Sequence, residues 1–369
     1  MPKPLEEITI KGFKSIKALE GFKLKNLNVL IGGNGAGKSN FIEFFKLLSA
    51  MMNDNLNDYI RKNGGISDLL FQGRKTTKKL KFQTHFGMHG YKFCIAPEAK
   101  EGFSIVNEAR YYSRGTTGWW ELGNSYDGIS ELVREVKKGT GMNSEYGQYV
   151  YDAITSWQIY HFHDTSSTSD MRHYEIVQDK SKLRMNGANI APFLRGLRKK
   201  HQKVYAKIVD SIKLVLPFFD DFILESEEFG EKLKVNLSWK QQGSDYPMQP
   251  YHLSDGSIRF ICLATALLQP NPSSTIIIDE PELGLHPQAI NILAELIQSA
   301  SERTQVIIST QSPALIDNFA IEDIIVVNRN NGASTFERLN ENDFNVWLED
   351  YSVGELWTKN VIAGGPVHE

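Results

Sequence analysis

Between positions 31 and 40 the chain reads Ile-Gly-Gly-Asn-Gly-Ala-Gly-Lys-Ser-Asn, and this stretch constrains the fold more than any other. Gly32, four intervening residues and then Gly37-Lys38-Ser39 fit the pattern G-x-x-x-x-G-K-[ST] of a phosphate-binding loop. Glycine is required because the loop turns its N–H groups inward around a triphosphate, which needs positive φ and no side chain in the way. The reading assigns Gly32, Gly33, Asn34, Gly35, Ala36, Gly37 and Asn40 to the cradle of ATP, Lys38 to its β- and γ-phosphates, and the Ser39 hydroxyl to Mg²⁺. Asn28-Val29-Leu30-Ile31 ahead of the loop has the character of a buried strand, and Phe41 to Leu48 starts a helix behind it, so the phosphates sit at a helix N-terminus. A glycine-rich turn that binds nothing does not account for strand, loop and helix together.

The second half carries matching parts. Thr275-Ile-Ile-Ile-Asp279-Glu280 is a β-branched run ending in two acids, the pattern of a buried parallel strand that delivers carboxylates to its C-terminal edge. Asp279 is the candidate for the Mg²⁺ shell. Glu280 is the candidate general base for the attacking water, a role worth about 10²–10⁴-fold in rate. Leu253-Ser254-Asp255-Gly256-Ser257 opens an apolar helix at Ile258–Leu268, so Ser254, Asp255 and Gly256 lie where a helix N-terminus presents donors and positive dipole to a phosphate. Gln305 to Thr310 is another core strand and ends at Gln311. Asp323 to Asn328, an Asn-Asn-Gly turn and Ser334–Leu339 read as a hairpin.

These motifs together resemble the ATP-binding-cassette superfamily in its SMC/RecF-like, non-transporter branch. Gly12-Phe13-Lys14-Ser15 ahead of the loop is similar to the start of those ATPase heads, and Glu282-Leu-Gly-Leu-His286-Pro287 to the loop after their acidic strand. Tyr351 to Pro366 resembles the C-termini of standalone AAA-type ATPases of anti-phage defence operons. The resemblance implies an α/β ABC-type head: a P-loop core with a mixed sheet, an antiparallel β subdomain and a helical signature lobe. It makes Lys14 a secondary nucleotide contact and Gln72 a candidate for the magnesium- and water-contacting glutamine. It also gives the phosphate facing Ser254 to a partner subunit, hence a head-to-tail homodimer closed on ATP. Gln311 stands where the family usually has a switch histidine; its amide can donate but cannot take a proton, which leaves Glu280 as the base.

The chain divides in expectation into 1–85 (the N-terminal part of the nucleotide lobe), 86–250 (an inserted strand and helical lobe) and 251–369 (signature helix, acidic strand and switch strand). Glu7 to Ile16 alternates and reads as an edge strand, and residues 51–66 are polar. Leu80–Phe86, Tyr91–Ala96 and Phe103–Ser113 read as strands of an antiparallel sheet, and residues 114–150, rich in Gly, Ser and Asn, as a poorly constrained surface region. Trp157 to Asp164 alternates as a strand with His161 and His163 on one face. A metal site there with Asp164 or His173 lacks a further ligand at a diagnostic spacing, so a structural reading stands beside it. Tyr205–Leu216 has one apolar helical face and stops at Pro217. The basic run Arg195, Arg198, Lys199, Lys200 and Lys203, with Arg74, Lys75, Lys78 and Lys79, is a candidate DNA contact, although such runs are more commonly solvated faces.

Composition narrows the classes. A net charge of −3 and pI near 6.3 give no global nucleic-acid footprint, and two cysteines form neither a disulfide framework nor a paired metal motif. No apolar run approaches the ~18 residues of a membrane span, so the expected compartment is cytoplasmic. The insert shows no sustained heptads and no Cys-x-x-Cys hook, and no Toprim-like segment comes after the last strands, which separates the sequence from the overcoming-lysogenization-defect nucleases. The resemblance, with these exclusions, implies an ATPase whose ATP-driven dimerisation regulates a separate effector, a nuclease or toxin of phage defence, with DNA as a candidate signal. A transporter subunit with a membrane partner and a RecF-type repair ATPase are the alternatives.

Overall fold

The computed structural model describes residues 3–99, 102–113, 118–139 and 144–362. The chain enters on β1 (Glu7–Phe13), returns on β2 (Ile16–Lys23) and passes into β3 (Leu27–Ile31) before the glycine loop and α1 (Lys38–Met52). The helices α2 (Leu56–Lys62), α3 (Ile66–Leu69) and α4 (Gly73–Thr76) lead to β4 (Leu80–Phe86), β5 (His89–Pro97), β6 (Phe103–Tyr112) and β7 (Gly118–Ser125). These strands extend the first hairpin into an antiparallel sheet of order β2-β1-β4-β5-β6-β7.

Then come α5 (Glu131–Lys138), α6 (Ser144–Ser156), β8 (Gln158–Tyr160), β9 (Glu175–Ile176), α7 (Ile190–Lys200) and α8 (Gln202–Val215). Short strands β10 (Phe219–Ile223), β11 (Glu227–Phe229), β12 (Lys232–Val235), β13 (Ser238–Gln241) and β14 (Pro247–Met248) form two small sheets, one with β9. The chain ends on α9 (Asp255–Leu268), β15 (Thr275–Asp279), α10 (Pro287–Ser301), β16 (Gln305–Thr310), α11 (Pro313–Ile316), β17 (Ile324–Asn330), β18 (Ala333–Arg338), α12 (Asn345–Leu348) and α13 (Val353–Thr358).

The central sheet has the order β18-β17-β3-β16-β15-β8, parallel except for β18. Both of its faces are covered, which explains why its strands are continuous Val/Ile/Leu runs. Successive residues go to opposite sides. Val29, Ile31, Ile276, Ile278, Val306 and Ile308 join the core made with α7 to α10, while Leu30, Ile277, Ile307, Ile325 and Val327 join α1 and the inner face of the antiparallel sheet. The β17–β18 turn at Asn331-Gly332 has positive φ at both residues (50° and 75°), as a two-residue hairpin loop of this handedness needs.

Three readings of the sequence are corrected, and one segment described only as polar gains a helix. β1 is not an edge strand: it lies between β2 and β4, because alternation reports that one face is buried and says nothing of which edges are paired. The polar segment 51–66 contains α2, which buries Leu56 and Ile60. The strand predicted to Asp164 ends at Tyr160, where pairing with β15 stops. Within 114–150, residues 114–117 and 140–143 lie outside the described ones, yet the rest folds into β7, α5 and the start of α6.

The cause of that last order is a long-range carboxylate. Glu108 on β6 is fully buried and accepts from Tyr91 Oη (2.6 Å), Ser130 Oγ (2.5 Å), and the N–H groups of Glu131 (2.8 Å) and Leu132 (3.1 Å). It thus satisfies orphan donors at the N-terminus of α5 and matches the helix dipole. Burial, with the Glu108 charge beside it, pushes the Tyr91 phenol well above its usual pKa. Replacing Glu108 by Leu leaves those buried donors unpaired and is expected to cost about 2–4 kcal/mol in urea unfolding; an unchanged midpoint would rule out this anchoring role.

Candidate nucleotide site

The glycine loop is fixed from outside by two serines. Ser334 on β18 donates through Oγ to Ala36 O (2.5 Å) and through its N–H to Ser15 O (2.7 Å), and Asn40 Nδ2 donates to Ser15 Oγ (2.7 Å). Gly37, the N-cap of α1 with φ 116°, has no space for a side chain: a Cβ there would lie 2.0 Å from Ser334 Oγ. A Cβ on Gly32 would lie 2.2 Å from Val327 O. Lys38 is buried, and its Nζ donates to Gly32 O (2.6 Å) and Gly33 O (3.2 Å). Burial lowers its pKa, and the charges of Glu280, Asp279 and Glu282 act in the opposite direction. Asn34, Gly35 and Ser39 are exposed. The first-turn N–H groups of Lys38, Ser39 and Asn40 have no intrahelical acceptor, so the loop suits a triphosphate.

The acids arrive from the neighbouring strands. β15 pairs with β16 in a register that sets Asp279 opposite Ser309, and β16 pairs with β3 so that Thr310 meets Ile31 at the start of the glycine loop. Ser309 Oγ donates to Asp279 Oδ1, and His163 Nε2 donates to Asp279 O from behind (3.0 Å). Glu280 has φ 44°, a left-handed conformation uncommon for a residue with a side chain, and it is held by its N–H on Ser309 O (2.9 Å). Gln311 Nε2 donates to Glu280 Oε1 (2.8 Å). The two residues singled out separately in the sequence are thus directly bonded.

Sequence reasoning missed the group that joins the two strand ends. Glu282 Oε1 accepts from Thr310 Oγ1 (2.6 Å) and from the N–H of Gln311 (3.1 Å), while its Oε2 is buried without a partner among the described residues. Burial raises its pKa above the usual carboxylate range. The only sequence cue was an acid directly after Pro281 in a loop noted for its resemblance.

Ser254 is the N-cap of α9 and accepts from Ser257 N (3.1 Å); it and Asp255 are exposed. None of their hydrogen bonds reaches residues 32–40. Gly256 is needed for packing: a Cβ there would lie 2.4 Å from Gly284 O, in the loop behind the acids. Arg259, one turn on, donates to Phe162 O (2.8 Å), His163 O (3.1 Å) and Leu283 O. Arg172 donates to Pro250 O (2.7 Å), Leu253 O (3.0 Å) and Asp255 Oδ1 (2.8 Å). Neither arginine stands in a recognisable motif.

The remaining candidates lie as follows. Lys14, with φ 47°, pairs with Glu43 Oε2 on α1 (2.5 Å). Gln72 is exposed, with φ 52°, and its amide lies 3.6 Å from where a Cβ of Gly332 would stand; none of its hydrogen bonds reaches Ser39 or Asp279. His161 and His163 stack at 4.1 Å. Asp164 is occupied by Ser166, and among the described residues no group of three His, Cys, Asp or Glu side chains is arranged to hold a metal ion. In the basic run, Arg195 donates to Leu224 O (3.0 Å) and Arg198 to Phe222 O (3.1 Å) while pairing with Asp221. Lys199, Lys200 and Lys203 are exposed. Arg74 donates to Gly102 O (3.3 Å), beside the antiparallel sheet, whereas α7 packs in the other core.

The family model described as "AAA domain, putative AbiEii toxin, Type IV TA system" matches residues 27–94 and 150–317, well over half of the chain. Among solved structures, an Smc head bound to the C-winged helix domain of ScpA is 18% identical with TM-score 0.58, covering 93% of this chain and 99% of that one. An Smc head with an extended coiled coil, bound to the C-terminal domain of ScpA derived from Pyrococcus furiosus, is 18% identical with TM-score 0.55, covering 95% and 99%. The fold is that of an SMC head. No curated protein matches the sequence.

Two outcomes test this geometry. Gly256→Ala should displace the loop 282–284 and lower the melting temperature by several degrees, as a core clash of about 1–3 kcal/mol requires; an unshifted transition contradicts the close approach. His161 is held below the usual histidine pKa first by burial, then by His163 and Lys46, with Asp279 opposing. The folded state therefore favours the neutral ring, and this contribution is full above about pH 6.5 and lost as pH falls through the lower folded value. The drop in stability between about pH 7.5 and 5.5 should be smaller in His161→Asn; identical slopes would refute the assignment.

Proposed function

The chain belongs to the AAA-domain family described as putative AbiEii toxin of a type IV toxin–antitoxin system, and from that premise we propose that it is an ATP hydrolase that closes head-to-tail on ATP. The observation that carries the reading is the convergence of Lys38, Asp279, Glu280 and Gln311 at the ends of three adjacent parallel strands, with Gln311 bonded to Glu280. The loop N–H groups and Lys38 hold the phosphates of the substrate. Ser39 and Asp279 would hold Mg²⁺, which when bound offsets phosphate charge. Glu280 takes the proton of the attacking water, and the Gln311 amide fixes one carboxylate oxygen so that the other faces the site.

On this reading Lys14 is a secondary nucleotide contact and Gln72 the magnesium- and water-contacting glutamine; Lys14 pairs with Glu43 on α1, and the Gln72 amide lies near the β17–β18 turn. The N-terminus of α9, with Ser254 and Asp255 exposed beside half-buried Gly256, serves the phosphate bound by a second copy, since its own hydrogen bonds do not reach residues 32–40. The family description supports an output in a toxin–antitoxin or phage-defence setting; on this reading the output is delivered through a separate effector, a nuclease or toxin. Among the described residues no helix is long and apolar enough to cross a membrane, so a transport role would need a membrane partner.

Lys38→Ala is expected to abolish ATP binding and turnover, and normal turnover in it would sink the assignment. Glu280→Gln should lower the rate by about 10²–10⁴-fold and accumulate an ATP-bound dimer in sedimentation; a monomer at saturating ATP would argue against closure. Purification of the chain with its neighbouring gene products tests the effector, and a membrane protein in its place would favour the transport reading.

A further inference from the structure

A cavity of about 500 Å³ lies at the start of β8 and β15, the opposite end of the sheet from Asp279. Its lining includes Lys180, Lys182, Lys200 and His201 and no carboxylate. None of the three lysine side chains has an ion pair or hydrogen bond among the described residues. Lys200 ends α7, where a cation also answers the helix dipole, but Lys180 and Lys182 lie on no helix and need another reason for meeting here.

The wall between the lysines is polar and incompletely bonded. Gln158 is 8% exposed and Gln269 4%. Gln158 Oε1 accepts from Tyr160 Oη (2.8 Å) and Gln269 Nε2 (3.0 Å), and Gln269 Nε2 also donates to Ala266 O (2.7 Å). That leaves the amide nitrogen of Gln158 and the amide oxygen of Gln269 without a partner among the described residues, in two side chains that line the cavity. Neither atom is sealed from solvent, so a donor and an acceptor are open to the cavity and available to a ligand there. Phe193 and Leu197 add an apolar wall.

We propose that this cavity binds a nucleoside phosphate, separately from the glycine loop. Its size fits such a ligand, since small-molecule sites commonly span about 300–1,000 Å³. The lysines hold the phosphate, the paired amides meet the donor and acceptor on a base edge, and the apolar wall meets its face. The site touches Gln269, which caps α9 at the end opposite Ser254. A ligand here therefore bears on the helix that presents the signature.

The test uses the full chain carrying Lys38→Ala, which removes the phosphate grip of the glycine loop. Calorimetric titration with AMP, GMP, CMP and UMP should show one-to-one binding of at least one of them, weakened at least tenfold by Lys180→Ala with Lys182→Ala. Both lysines are exposed, so this pair leaves the fold intact, as an unchanged melting temperature would verify. Gln158→Glu should in addition change which monophosphate is preferred. The proposal is overturned if no monophosphate binds, if binding ignores the lysine pair, or if inorganic pyrophosphate binds as tightly as the best monophosphate. Tighter lysine-dependent binding of a short single-stranded DNA would overturn it as well, in favour of a nucleic-acid groove.

Discussion

The pairing of β15 with β16, and of β16 with β3, is the constraint on which the rest of the molecule depends. Three parallel strands end side by side, and their C-terminal ends carry the glycine loop, the Asp279-Glu280 pair and Gln311. A shift of one residue in either register would turn every buried Ile of the strand to the other core and carry Asp279 away from Ser309. The two hydrophobic cores therefore hold the chemistry in place without contributing to it. Glu280, like Lys14 and Gln72, has a left-handed backbone that works against local preference, and Ser309 O and Gln311 hold it there.

The second organising feature is a mechanical connection between that site and the signature helix. Arg259 on α9 grips the carbonyls of Phe162, His163 and Leu283, and Gly256 meets Gly284 so closely that no side chain fits. His163 in turn donates to the Asp279 carbonyl. The acids and Ser254 are thus joined through packed backbone and the buried Arg259 guanidinium. The cavity at Gln269 abuts the other end of the same helix.

How much of this could be read in the sequence depends on the range of each interaction. The glycine loop, the acidic strand and the helix opened by Ser254 are short, self-contained patterns whose chemistry is written in consecutive residues. The amphipathic helix ending before Pro217 and the Asn331-Gly332 hairpin were legible for the same reason. What failed was long-range. Glu108 orders α5 from a different strand, so Gly, Ser and Asn in the segment misled. Arg195 and Arg198, read only as members of a basic run, also donate to the carbonyls of Leu224 and Phe222, contacts that no local pattern announces. Arg172, Arg259 and Ser334 had no motif to announce them, and the role of Glu282 was not written in its loop, because their partners are brought near only by folding.

The central claim is that the glycine loop of one copy is completed by Ser254 of another. The most direct measurement is ATP turnover in a mixture of two inactive chains, one carrying Lys38→Ala and the other Ser254→Arg. A head-to-tail pair of these contains one site with an intact glycine loop and an intact signature, so activity should reappear on mixing. A mixture as inactive as its components, or a Ser254→Arg chain that is fully active alone, would contradict the account.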